Sequence, residues 1–120
     1  MGIPKVTVQV SNLAKTKKPH KAEFLVDTGA ADCMAPAEAL KKAGIAVEGE
    51  AIYELANGEE IKYPYGFARL SFMGDETIAR VIFGPSQCEP LLGVIALESV
   101  GIMVDSLSQT LKRLATRPLK

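Results

Sequence analysis

The sequence has few of the residues that build metal centres, covalent active sites or disulfide frameworks. Among its 120 residues are one histidine, two cysteines and no tryptophan. His20 has no second imidazole or cysteine at ligand spacing, so we predict no metal site and no cofactor. A cysteine nucleophile needs a base, and the only histidine sits in an early loop, which argues against thiol chemistry.

An excess of charge of one sign is also missing. The chain has 14 basic and 14 acidic residues, so no overall field attracts nucleic acid or an anionic membrane. A basic cluster without interleaved aromatic residues favours a solvated hairpin loop over a binding patch. The cluster consists of Lys15, Lys17, Lys18, His20 and Lys21. No segment approaches the ~20 apolar residues of a membrane-spanning helix. We therefore expect neither nucleic acid nor membrane as a partner.

The two cysteines, Cys33 and Cys88, lie far apart in the sequence. Residues 1–10 contain no apolar stretch that resembles a signal peptide. We therefore expect a reduced, cytoplasmic protein with free thiols. Buried, unreactive thiols are the simplest interpretation, and a redox switch stays open as the alternative.

The patterning predicts one mostly β domain over residues 1–120. Apolar and polar residues alternate in short runs, and turn signals recur between them, which favours a closed or folded-over sheet. The predicted strands cover residues 6–10, 22–26, 51–55, 61–65, 68–72, 77–83, 102–105 and 110–114. Two short helices are predicted over 36–44, which starts with proline and ends with glycine, and over 94–100. Asn57-Gly58 predicts a protruding hairpin over residues 51–65.

Asp27 stands out because it follows the apolar run Phe24-Leu25-Val26 and precedes Thr28-Gly29. A carboxylate at the end of a hydrophobic strand is costly to desolvate, so it must be exposed, hydrogen-bonded or kept for chemistry. One interpretation is an Asx-type turn before a helix. The other is that Asp27 is catalytic.

The segment Phe24-Leu25-Val26-Asp27-Thr28-Gly29-Ala30 resembles the signature of retropepsin-like aspartic proteases. About 60 residues later, Pro90-Leu91-Leu92-Gly93 is similar to the apolar-apolar-Gly element of that family, and Asn57-Gly58 falls where its flap lies. The resemblance spans roughly residues 5 to 114. It implies an acid-protease β-barrel with two short helices. The departures from the retroviral pattern described below point to a cellular or bacterial member of the family.

The resemblance also implies a mechanism. The chain has one Asp-Thr-Gly, so the second catalytic aspartate would come from another copy in a symmetric homodimer. Two Asp27 carboxylates would then activate a water that cleaves a peptide bond of a peptide or protein substrate, without metal or covalent intermediate.

Further positions take their expected roles from the same resemblance. Thr28, Gly29 and Ala30 would support the active-site turn, with Thr28 hydrogen-bonding across the dimer. Asn57 and Gly58 would belong to the flap over the substrate. Leu91 and Leu92 would line side-chain pockets, although core packing is the favoured alternative for both.

The chain departs from the retroviral pattern at two positions that pair in those relatives. Ala31 replaces an acidic residue and Val94 replaces an arginine, so both partners of a pair are absent together. This leaves open a non-catalytic dimerisation or peptide-binding module with the protease fold. Asp32, one position after Ala31, is interpreted as the cap of the first helix, with substrate contact as the alternative.

Overall fold

The computed structural model describes residues 4–105, 107–116 and 119. Two helices and nine strands are present in these residues. The strands are β1 (Lys5–Ser11), β2 (His20–Asp27), β3 (Cys33–Pro36), β4 (Gly49–Glu54), β5 (Glu60–Phe72), β6 (Asp75–Gly84), β7 (Leu91–Gly93), β8 (Ile102–Asp105) and β9 (Thr110–Arg113). The helices are α1 (Ala37–Lys42) and α2 (Val94–Ser99). In this part of the chain, no helix has the length and apolar character that crossing a bilayer requires.

Six strands form a closed ring. Their order is β1, β2, β7, β3, β6 and β5, and β5 pairs again with β1 through contacts such as Val10 with Leu70. Strand β4 extends from this ring because it pairs only with the first half of β5, while β8 and β9 form a separate two-stranded sheet. The predicted closed β-barrel with two short helices is therefore confirmed.

The sequence analysis missed two strands, β3 and β7, and split a third. Both missed strands are short, with four and three residues, and both pair in parallel: β3 with β6, and β7 with β2. Such brief runs carry too little alternation to be recognised, because their partners lie far away in the chain. They are the two strands that complete the ring.

Strand β5 is continuous over 13 residues, where two separate strands were predicted. The strand contains Pro64 and Gly66, two residue types that are uncommon inside strands. Pro64 faces Glu50 of β4, whereas pairing with β6 begins only at Tyr65, so the proline occupies an edge position where a missing N–H is tolerated. One long strand therefore links the barrel to the projecting hairpin.

The core lies inside the ring and under the two helices. Side chains from alternate positions of the strands point inward, as the burial of Val8 and Val10 on β1 illustrates. Leu40 of α1 and Leu97 of α2 cover the barrel and are almost wholly inaccessible. Phe24 and the other apolar side chains of the same cluster complete one continuous core.

The predicted domain over residues 1–120 includes positions that lie outside the described residues, namely 1–3, 106, 117, 118 and 120.

Cys33 is one of the core residues. Its side chain is buried on β3, and burial, the largest effect, raises the pKa of its thiol to about 11. Cys88 is only half-buried, and both cysteines are free. The expectation of free thiols is confirmed, and the expected burial is complete for Cys33 alone.

Gly66 should be a sensitive position of the barrel. A Cβ atom there would lie 2.3 Å from the Ala46 carbonyl oxygen, so the backbone would have to move. We expect Gly66→Ala to lower the free energy of unfolding by about 3 kcal/mol. Gly74→Ala is the control, because its Cβ meets open space and its cost, about 1 kcal/mol, comes from a positive φ of 81°. Urea unfolding that gave equal losses for the two variants would contradict the steric argument.

The Cys33 thiol should make stability pH-dependent. Its pKa in the folded chain is above its ordinary value of 9.0, so its contribution is complete below pH 9 and declines as pH rises towards 11. We expect the stability difference between wild type and Cys33→Ala to shrink by roughly 2 kcal/mol over this interval. Urea unfolding at stepped pH measures it, with Cys88→Ala as the less buried control. A constant difference would show that Cys33 does not ionise differently on unfolding.

Candidate active site

Asp27 is the last residue of β2. The fold places it directly beside Gly93, the last residue of the apolar-apolar-Gly element. Strands β2 and β7 run in parallel, so that Leu25 pairs with Leu91, Val26 with Leu92 and Asp27 with Gly93. Two segments separated by more than 60 positions therefore end at the same edge of the sheet. The turn after β2 and the start of α2, which follows β7, therefore lie next to each other.

The turn after β2 holds the Asp27 carboxylate in a defined orientation. The Gly29 amide donates a hydrogen bond of 2.9 Å to Asp27 Oδ1, and the Ala30 amide donates one of 3.1 Å to the Asp27 carbonyl oxygen. The Asx-type turn is thus present, with the carboxylate half-buried and Thr28 exposed. An oriented and accessible carboxylate is also what a catalytic role requires, so the two interpretations of Asp27 are compatible.

The start of α2 closes onto the same turn. The Val94 amide donates to the Ala30 carbonyl oxygen at 2.9 Å, and the Ile95 amide donates to that of Ala31 at 3.2 Å. Gly93 permits this approach, since a Cβ atom there would lie 2.6 Å from the backbone of Asp32. Backbone contacts therefore hold the Asp27 turn, where positions 31 and 94 carry Ala31 and Val94 and form no ion pair.

A cleft of about 620 Å³ opens above Asp27. Its floor comes from the turn after β2, from β3, β6 and β7, and its roof comes from the β4–β5 hairpin. The lining residues are Asp27, Gly29, Ala30, Ala31, Asp32, Met34, Tyr53, Glu54, Leu55, Ala56, Tyr63, Ile82 and Leu91. Three of them carry carboxylates and none carries a basic group. The cleft is an open apolar groove with acidic groups at defined points.

The hairpin predicted from Asn57-Gly58 is present and is built by β4 and β5. Gly58 occupies its tip with a φ of 87°, and the Leu55 amide donates to the Glu59 carbonyl oxygen at 2.8 Å. Asn57 contacts Glu59 through its side chain, so it stabilises the tip itself. In a single chain neither Asn57 nor Gly58 lines the cleft, and the hairpin contributes residues 53–56 and Tyr63 instead.

The two predicted pocket leucines have different positions. Leu91 is partly exposed and lines the cleft, whereas Leu92 is fully buried in the barrel core. Their alternation follows from the pleat of β7, because successive side chains point to opposite faces. Among the predicted site residues, the fold brings Asp27, Gly29, Ala30 and Leu91 to the cleft.

Asp32 does not cap α1, so the interpretation favoured from the sequence is wrong. The N-cap position is Pro36, and no side chain makes a capping hydrogen bond there. Four residues of strand β3 separate Asp32 from the helix, and this strand was not predicted. Asp32 Oδ2 instead accepts a hydrogen bond of 2.8 Å from the Tyr53 hydroxyl on the hairpin.

Tyr53 and Arg80 interact with each other near the cleft, and the sequence analysis singled out neither of them. Burial, followed by the hydrogen bond to Asp32, raises the pKa of the Tyr53 phenol. The hydrogen-bonding interaction of Arg80 with Tyr53 raises the pKa of the Arg80 guanidinium. Both residues sit on strands at unremarkable alternating positions, so nothing in the sequence marks them as neighbours of Asp32.

The described part of the chain contains no group of three or more His, Cys, Asp and Glu side chains arranged to hold a metal ion. The Cys33 sulfur accepts a hydrogen bond of 3.4 Å from the Gly93 amide, beneath the Asp27 turn. This contact ties the buried thiol to β7.

Comparison with known families agrees with the geometry. A family model described as Aspartyl protease matches residues 6–94. The matched region includes the Asp27 turn, the hairpin and the Leu91-Leu92-Gly93 strand. A search of curated proteins found no significant match. Because the family model covers well over half of the sequence, the chain belongs to the aspartyl protease family.

Proposed function

We propose that the protein is an aspartic endopeptidase whose active site forms when two copies meet at their Asp27 turns. The observation that carries this proposal is the position of Asp27: oriented by Gly29, accessible, and on the floor of a cleft roofed by a hairpin. Membership of the aspartyl protease family supports the same chemistry.

The homodimer follows from the number of catalytic turns. The sequence contains one Asp-Thr-Gly, and aspartic proteases work with two carboxylates that share a proton. Thr28 is exposed beside Asp27 and is available for a contact with a second copy. An isologous two-fold arrangement places the same residue of both copies at the axis. It therefore supplies the second carboxylate without a second motif.

The paired carboxylates would divide the chemical work. Two like charges at hydrogen-bonding distance cannot both ionise, so the dimer would hold one proton between the Asp27 side chains. The ionised aspartate removes a proton from water, which attacks the peptide carbonyl carbon. The protonated aspartate donates a hydrogen bond to the carbonyl oxygen. Collapse of the tetrahedral intermediate then transfers a proton to the leaving amine.

The shape of the cleft suits an extended peptide substrate. Leu91, Met34 and Ile82 offer apolar contacts on the floor, while the hairpin lies above them. An extended chain exposes backbone groups to both surfaces, as peptides do when they bind along a strand edge. Contact with the hairpin would also exclude water from the reacting bond.

Asp27→Asn should abolish proteolysis while leaving the fold intact. The amide cannot act as a general base, so we expect cleavage of an unbiased peptide library at mildly acidic pH to fall by at least about a hundredfold. Mass spectrometry of the peptides measures the loss. Asp75→Asn is the matched control, because Asp75 lies on β6 outside the cleft and pairs with Arg113. Equal cleavage by Asp27→Asn and wild type would show that Asp27 is not the catalyst.

Mixing wild-type and Asp27→Asn chains tests the shared site. If each active centre needs two Asp27 residues, an equimolar mixture that has exchanged subunits retains about a quarter of the wild-type activity. A site complete within one chain would retain half. Native mass spectrometry establishes that mixed dimers have formed. A chain that remained monomeric, or a linear dependence on the wild-type fraction, would contradict the dimeric site.

The non-catalytic peptide-binding module makes a different prediction in the same experiment. Wild type and Asp27→Asn would then bind peptides equally well, and the mass of every peptide would stay unchanged after long incubation. Cleavage by wild type alone would reject this alternative.

A further inference from the structure

The β4–β5 hairpin is anchored to the barrel at one end and projects over the cleft at the other. At its base Gly49 pairs with Tyr65, and the Glu48 amide donates to the Tyr65 carbonyl oxygen at 2.8 Å. At its tip, residues 54–60 are all exposed. An isolated two-stranded hairpin has marginal stability in water. The position of this hairpin over Asp27 therefore depends on contacts along its length.

Tyr53 provides such a contact between the roof and the floor of the cleft. Its hydroxyl donates a hydrogen bond of 2.8 Å to Asp32 Oδ2, five positions after Asp27 in the active-site segment. A hydrogen bond to an ionised carboxylate is stronger than one between neutral groups. The bond is also partly shielded from water, since Tyr53 and Asp32 are both half-buried.

Arg80 supports this bond from the wall of the barrel. Its guanidinium carbon lies 3.8 Å from the centre of the Tyr65 ring and 5.8 Å from that of Phe67, so the cation rests against two aromatic rings of β5. From there it interacts with the Tyr53 phenol and, electrostatically, with Asp32. The phenol thus interacts with both the Arg80 cation and the Asp32 carboxylate.

We infer that Tyr53 and Asp32 form a latch that holds the hairpin over the active site, with Arg80 supporting the phenol. Neither residue touches the reacting atoms, so both are positioning residues. Separation of the hairpin from the floor breaks the bond. Peptide entry and product release would therefore be coupled to the Tyr53 hydroxyl, a consequence that rests on the proposed protease function.

Tyr63 provides a matched control. It lies on the same hairpin, lines the same cleft, and its ring centre is 6.4 Å from that of Tyr53. Among the residues that the structure describes, its hydroxyl has no side-chain hydrogen-bond partner. Tyr63→Phe and Tyr53→Phe therefore remove the same atom from neighbouring positions, and only the second removes the latch.

Hydrogen exchange of the substrate-free protein tests the latch independently of catalysis. We expect the paired amides of β4 and the first half of β5 to exchange about tenfold faster in Tyr53→Phe and in Asp32→Ala. Amides of β1 provide the internal control and should stay unchanged, which separates hairpin opening from general destabilisation. Asp32→Asn keeps an oxygen that accepts the phenol hydrogen, so its hairpin should exchange more slowly than that of Asp32→Ala.

Two results would overturn the inference. One is a hairpin in Tyr53→Phe that exchanges at the wild-type rate. The other is an equal acceleration in Tyr63→Phe, which would show that loss of any phenol from the roof loosens it. Because no substrate is present, these results leave the proposed protease function untouched, and an inactive wild-type protein could still show the latch.

Discussion

The parallel pairing of β2 with β7 is the contact on which the rest of the site depends. It brings the end of the apolar strand before Asp27 against the strand that ends at Gly93. The amides of Val94 and Ile95 then bind the carbonyl groups of the Asp27 turn. Parallel strands need a long connection, and here everything from β3 to β6 lies between them. The strands β3 to β6 therefore form the long connection that the parallel pairing of β2 with β7 requires.

The same pairing accounts for the absence of the ion pair that retroviral members of the family form between the positions of Ala31 and Val94. A buried ion pair stabilises a structure only where its geometry repays the desolvation of both charges. In this chain Ala31 and Val94 replace both partners, while backbone hydrogen bonds and the close approach at Gly93 hold the turn. The Asp27 turn is therefore held mainly by main-chain contacts.

A single chain carries the floor and the roof of the cleft and one Asp27 carboxylate. The roof is part of the longest strand, β5, whose second half belongs to the barrel and whose first half belongs to the hairpin. Because the strand is continuous, the hairpin is joined directly to the barrel. The hydrogen bond from Tyr53 to Asp32 holds it over the floor of the cleft. The proposed second copy would add the other carboxylate.

Local sequence determined much of this protein. The alternation in β1 and β2, the Asn57-Gly58 turn and the proline and glycine around α1 were sufficient to predict two hairpins and helix α1, because each signal acts over a few neighbouring residues. The resemblance around Asp27 identified the family. Tertiary structure alone decided where β3 and β7 pair, because three or four residues cannot specify a partner that lies 48 positions away for β3 and 66 for β7. It also decided that Leu92 is buried while Leu91 lines the cleft, and that Asp32 binds Tyr53 rather than capping a helix. These outcomes depend on which strands lie side by side, and that is settled only when the whole barrel closes.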